Sequence, residues 1–335
     1  MNAPKCRPED HINFLVASPR AVRGTAAARV PPARLDPPAH DACTRLLHRL
    51  APDPATLRAE AAPQVARARG VLVLDDRTLD QPYARRIGLP TRHWSGKHRR
   101  VVQGRNLPTL LWTDGEALIP CDYRLYEKAT DGRSKNDRCR ARLDTARARG
   151  FAPECAVFDD WYASLEHLKA IRGHGWRWLA QLKANRTVTP DGSGNRPLGE
   201  GVIAGAGTRV HRQGYGFVLV FPIGAPDGDR EFWATSDEGL GELARRKYAE
   251  WAWGIAAYHR GLKQHRGVER AQVRAARARR NRSNYAIRAF LRLERHRLAT
   301  GVRWWEAKAT IIRAAIRRYL THPRYTLATT TEPTA

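Results

Sequence analysis

The chain has 335 residues, 42% of them hydrophobic, and its 59 Lys and Arg against 33 Asp and Glu leave a net charge of +26. The hydrophobic share suits a packed core and excludes a disordered chain, no apolar run is long enough to cross a bilayer, and five scattered cysteines without a CxxC pair exclude a zinc or disulfide framework and fit a reducing cytoplasm. So large a positive excess attracts polyanions, and nucleic acid is the partner it points to.

INFLVASP (12–19) is too short for a signal peptide and follows the acidic pair Glu9-Asp10. Residues 1–65 read as helices and loops, with a Pro-rich break at PPARLDPPAH (31–40) and helical spacing in HDACTRLLHRL (40–50). Two readings of this region stand: a small DNA-binding or dimerising domain, or a helical layer packed on the main domain. From Gly70 the pattern changes. GVLVLDD is a short apolar run, a buried strand that delivers Asp75 and Asp76 at its end. The basic residues Arg92, His93, Lys97, His98, Arg99 and Arg100 follow it, and two readings stand: a phosphate-contacting loop or a solvated one.

Residues 99–127 read as two strands around the hairpin signal Asp114-Gly115. A basic helix (134–150), a strand ending in acids at ECAVFDDWY (154–162), a helix (163–175) and a strand beginning at 176 come next. This alternation predicts an α/β sheet. A Gly-rich stretch (191–209) and two strands around Asp227-Gly228 make 191–236 a β-rich insertion. Helices dominate 237–321, and 322–335 reads as a flexible tail.

Asp75 and Asp159 each close an apolar strand. In open α/β sheets ligands gather at the carboxyl ends of strands, so neighbouring strands would bring both carboxylates to one point. Hard cations such as Mg²⁺ or Mn²⁺ take oxygen ligands of this kind. An acid closing a strand also serves as a turn former or helix cap, a role open to Asp160. The helix through Trp253 has the apolar stripe Trp251, Ile255, Tyr258 and Leu262. Ala256 lies beside that stripe, and Lys263 lies two turns further on the same face. His259, Arg260, Lys263, His265 and Arg266 could grip a phosphate, or form a solvated basic face.

Taken together, LVLDDRTLDQPYA (72–84), SKN (134–136), VFDDWYAS (157–164), LKANR (182–186) and WGIAAYHRGLKQHRGVERAQVR (253–274) resemble a bacterial insertion-sequence transposase of the Asp-Asp-Glu (DDE) type. The resemblance implies a ribonuclease-H-like mixed sheet flanked by helices, interrupted by a β-rich insertion before the last acid. On this reading 66–190 is the first part of the core and 237–321 holds its last helix. The family's first Asp falls on Asp75, with Asp76 as the alternative, and its second on Asp159. Three acids would hold two Mg²⁺ (or Mn²⁺) ions for nicking and strand transfer at double-stranded DNA, transposon ends and target. Two ends must meet, which implies a homodimer on DNA. The implied DNA contacts are Tyr258, His259, Arg260, Lys263, Arg92, Lys97, Arg99 and Lys135. The departure is at 256, where the family's Glu is replaced by Ala256. Heavily impaired cleavage follows, and a non-catalytic DNA-binding protein, such as a repressor, stands as the alternative. A ribonuclease acting on RNA–DNA hybrids would share the core but not need the insertion.

Overall fold

The computed structural model describes residues 4–19, 23–30, 37–80, 89, 91–95, 100–125, 132, 134–190, 194–201, 203–224, 230–266, 268 and 273–323. Among these, the strands form one nine-stranded mixed sheet and a separate two-stranded ribbon. The hub is β1 (Val71–Asp80). Its first four residues, Val71, Leu72, Val73 and Leu74, are all buried. That near-continuous apolar run is the signature of a strand covered on both faces.

Two further hairpin strands lie on one side of β1. They are β2 (Thr91–Ser95) and the long β3 (Arg100–Thr113), and β3 also carries β4 (Ile119–Tyr123). β3 pairs antiparallel with the whole of β1, from Val71↔Thr113 to Asp80↔Gly104. After α5 (Lys135–Ala148), the strand β5 (Cys155–Phe158) lies parallel to β1, from Val71↔Cys155 to Leu74↔Phe158. After α6 (Leu165–Gly173), β6 (Trp178–Leu182) lies parallel to β5. The short strands β7 (Thr187–Val188) and β8 (Arg196–Pro197) form the ribbon. β9 (Thr208–Arg212), β10 (Gly216–Gly224) and β11 (Arg230–Thr235) then rejoin the main sheet, β11 antiparallel to β6. The β-rich segment therefore lengthens the central sheet.

The helices before the sheet are α1 (Pro8–Ala17), α2 (Gly24–Ala28), α3 (His40–Arg49) and α4 (Ala55–Ala61). After the sheet come α7 (Glu242–Arg266), α8 (Ala276–Thr300) and α9 (Trp304–Thr321). α7 lies across β1, β3, β5 and β6, and α8 packs on α7. Ile12, Leu15, Leu46 and Leu47 from the N-terminal helices share a core with Ala278, Tyr285 and Ala289 of α8. Arg288 of α8 ties that layer down, donating to Glu60 at 2.5 Å. All five cysteines are buried, and none is in a disulfide.

Two sequence expectations are corrected. Asp75 does not close β1, because β3 is long enough to pair with five more residues, to Asp80. The basic stretch after β1 is not simply a loop: Thr91–Ser95 is strand β2, with Arg92 exposed on it, and Arg100 opens β3. Lys97, His98 and Arg99 lie outside the described residues, as do the Asp227-Gly228 turn and the tail from 324.

The β3–β4 turn docks against α7 through glycines. Gly115 has φ +97°, and an added Cβ would collide with the Trp251 indole of α7. At Gly254 an added Cβ would meet the Leu118 side chain in the same turn. Both backbone freedom and close approach are needed at Gly115. Gly115→Ala should therefore destabilise the fold by about 2–4 kcal/mol, read as a lower urea midpoint at unchanged slope.

Candidate functional site

Consecutive side chains on a strand point to opposite faces, so Asp75 and Asp76 part company. Asp75 faces α7. Its Oδ2 lies 3.5 Å from Nε2 of His259, and its Oδ1 accepts a 2.6 Å bond from the Asp76 backbone N–H. Asp76 turns to the other face. There its Oδ1 accepts a 2.8 Å bond from the Tyr162 hydroxyl, and its Oδ2 accepts from the Asn106 amide. The two residues are not interchangeable: Asp76 is held by hydrogen bonds, and Asp75 opens to a cleft.

The parallel register sets the second acid. Leu74 pairs with Phe158, so the residues after them, Asp75 and Asp159, emerge level on adjacent strands. Asp159 begins the turn that leaves β5, and its backbone carbonyl and Oδ1 both accept from the Tyr162 backbone N–H, at 3.2 and 3.3 Å. His167 braces that turn, with Nδ1 2.8 Å from the Tyr162 carbonyl and Nε2 3.0 Å from that of Asn136. Asp160 points elsewhere, 3.5 Å from Lys183 Nζ. Ser164, not Asp160, caps α6, accepting from His167 N–H at 3.3 Å.

Asp75 and Asp159 line one cleft of about 250 Å³. Ala252, Trp253, Ile255 and Ala256 of α7 form one wall, and Gln181 of β6 with Glu231 and Trp233 of β11 form the other. Ala256 thus stands in the same cleft as both acids, as its helical phase predicts. Burial, then the charges of Asp75, Asp76 and Asp160, raise the Asp159 carboxyl from its ordinary 3.8 to about 7, against a small opposing effect from the Tyr162 N–H. Two carboxylates that repel in a half-covered cleft are a donor set for a cation. Beside Asp75, outside the cleft lining, stands His259. His259 is buried, and among the described residues its Nε2 has no hydrogen-bond partner. Among the described residues no three His, Cys, Asp or Glu side chains form a group that could hold a metal ion.

The candidate DNA contacts separate by exposure. Tyr258 is corrected: it is fully buried and packs edge-on against Phe290 with ring centroids 5.0 Å apart, because it lies on the apolar stripe of α7. His259 is corrected too, since it faces Asp75 and not solvent. Arg260 and Arg92 are exposed. Lys263 is half-buried with Nζ 3.5 Å from the Thr78 carbonyl of β1, two turns from Ala256. Lys97, Arg99 and the side chains of Lys135, His265 and Arg266 lie outside the described residues.

Sequence reasoning missed Glu231, Gln181 and Trp233, which reach the cleft only through the β6–β11 pairing, Trp233 standing opposite Gln181. It also missed Tyr162 and Asn106 as the partners of Asp76. His259 had a legible signal, since a residue three after Ala256 lies on the same side of a helix.

No family model matches the chain, and no curated protein matches it. Among solved structures the chain is similar to a piggyBac transposase, seen by cryo-EM as a synaptic complex with hairpin DNA. The identity is 11% and the TM-score 0.50, over 100% of this chain and 78% of that one. At that identity the likeness is one of fold, a mixed α/β sheet with flanking helices.

The raised Asp159 sets a pH dependence. Between about pH 4 and pH 7 the folded chain holds a proton that the unfolded chain releases, so this group's ionisation lowers stability as pH rises through that window. With divalent cations chelated, Asp159→Asn should raise the melting temperature at pH 8, by roughly 1–4 kcal/mol of stability, and should leave it nearly unchanged at pH 4.

Proposed function

We propose that the chain is a transposase by descent, built to cleave and transfer DNA strands, with cleavage heavily reduced by Ala256. The observation that carries this reading is the cleft itself. Asp75 and Asp159 enter it from adjacent parallel strands, and the third position, on α7, is an alanine. The strand order β4-β3-β1-β5-β6, three antiparallel strands followed by two parallel ones, supports a ribonuclease-H-like core. The net charge of +26 supports a DNA partner. The piggyBac transposase of similar fold is bound to hairpin DNA, which is consistent with the same partner here. Transposon ends and target would both be duplex DNA, a homodimer would bring the ends together, and the work would be done at the nucleoid.

Asp75 and Asp159 would hold a divalent cation, Mg²⁺ in the first instance. When bound, such an ion would lower the pKa of a water molecule and offset phosphate charge. The repulsion between the two acids in the cleft fits one ion. A second ion would need the carboxylate that Ala256 lacks. The rest falls to the chain's own side chains. Arg260 and Arg92 offer exposed charge to the DNA backbone. Tyr162 and Asn106 fix Asp76, and through it the strand that presents Asp75. Trp253, exposed at the cleft wall, limits what enters.

Ala256 also favours a second reading, a DNA-binding protein that no longer cuts, because loss of a negative charge leaves phosphate attraction intact. The two are separated by Ala256→Glu. On plasmid carrying the DNA that flanks its own gene, this variant should nick about a hundredfold or more faster in Mg²⁺ than the unsubstituted chain. Equal rates would show that position 256 is not the third ligand. Duplex binding should weaken steeply with salt in both proteins, and a flat salt dependence would remove the DNA partner.

A further inference from the structure

We infer that the exposed face of α9 is a self-association surface, and that it pairs antiparallel with α9 of a second copy of this chain. The inference stands on α9 alone and goes beyond the reading of the acid cleft.

Only the start of α9 is seated on its own chain. Trp304 packs on Phe290 of α8 and donates to Glu294, Ala307 is buried, and the buried Lys308 donates from Nζ to the Ser18 carbonyl at 2.6 Å. From Ala309 to Thr321 no residue is buried, and that length of helix runs about 20 Å. It is nevertheless apolar on one side. Trp305, Ile316, Tyr319 and Leu320 are 54%, 51%, 40% and 71% exposed, and Ile312 is half-buried. Trp305, Ala309, Ile312, Ile316 and Tyr319 follow one another at alternating steps of four and three residues. That spacing is a coiled-coil seam, narrower than the stripe by which a helix packs on a globular core. Leu320 flanks it. These side chains expose on the order of 500 Å² per copy, more than scattered surface hydrophobics account for. Pairing two copies would bury about 1,000 Å², the lower end of the range for a specific interface.

Charge chooses the occupant and its direction. Glu306 and Arg313 lie beside the seam on one flank, one heptad apart. In an antiparallel pair like flanks face each other, so Glu306 of each copy meets Arg313 of the other. The same register sets Trp305 over Ile316 and Ala309 over Ile312. A parallel pair would stand Glu306 level with Glu306 and Arg313 level with Arg313. The antiparallel arrangement is isologous and closes at two copies. A lipid surface favours a broad apolar face with a cationic border, and neither the narrow seam nor Glu306 at its edge suits one. The whole chain opposes pairing, since two copies at +26 repel, and salt screens that repulsion. Pairing through α9 therefore strengthens as salt rises, the reverse of DNA binding.

The test is sedimentation equilibrium of the full chain without DNA. A monomer–dimer equilibrium should appear with a dissociation constant on the order of micromolar, and it should tighten between about 0.1 and 1 M salt. Ile316→Glu should weaken it about tenfold or more. Ile311→Glu, at an exposed position on the helix side away from the seam, should leave it unchanged. Glu306→Arg should weaken it about threefold, and adding Arg313→Glu should restore it. The concentration and salt series use the unsubstituted chain, so they stand even if a variant fails to fold. A monomer at every concentration would overturn the inference. Flotation with vesicles of anionic phospholipid would then assign the face to a membrane, and a chain that does not float would leave it to residues 324–335. Equal weakening by Ile311→Glu and Ile316→Glu, or assembly beyond two copies, would overturn it as well. Duplex binding is measured alongside: a monomer that still binds DNA with a steep salt dependence loses only this interface, and the reading of the cleft stands.

Discussion

The in-register parallel pairing of β1 with β5 is the constraint on which the rest depends. Leu74 stands opposite Phe158, and the next residue on each chain is an aspartate. A shift of one residue would point one of the acids to the opposite face of the sheet. The register is protected by burial, since Val71 to Leu74 and Cys155 to Phe158 are all in the core. Slippage would send each of these side chains to the opposite face and break the packing on both sides of the sheet. The same pleat keeps Asp76 away from the cleft, where Tyr162 and Asn106 occupy its oxygens.

The second constraint is the seat of α7. That helix brings Ala256 into the cleft with both acids, and His259 beside Asp75, only because its other contacts fix its height and rotation. Gly115 and Gly254 admit the β3–β4 turn against it. Ile255, Tyr258 and Leu262 bury its apolar stripe. Phe290 of α8 meets Tyr258 edge-on. The N-terminal helices add to the same stack by packing on α8. Residues far from the cleft in sequence thus set the angle at which α7 presents its wall.

How much of this was legible in the sequence follows from which interactions are local. The apolar run before Asp75 and the one before Asp159 announce buried strands, and helical phase alone places Ala256 beside the stripe of Ile255 and Tyr258. The β3–β4 hairpin is written in Asp114-Gly115. What could not be read depends on pairing between distant segments. β1 runs on past Asp75 through the polar Asp76, Arg77 and Thr78 because β3 is there to pair with it, and nothing in those residues themselves signals a strand. Thr91–Ser95 reads as a basic loop for the same reason. Glu231 reaches the cleft only because β11 lies against β6, an arrangement without a short-range signature. Tyr258 was legible as part of the apolar stripe of α7, while the flanking His259 and Arg260 read alike as basic and only the packing separates the buried histidine from the exposed arginine.

Ala256 bears on stability as well as on chemistry. In the cleft, burial first and the neighbouring carboxylates second push the Asp159 carboxyl up to about 7. A further carboxylate at 256 would add repulsion in the absence of a cation, so the alanine makes the empty site less costly to fold. The hydrophobic contacts that seat α7 do not involve position 256, which faces the cleft and is exposed. The core and the register are maintained by residues that a change at 256 does not touch, so the fold does not depend on which side chain stands there.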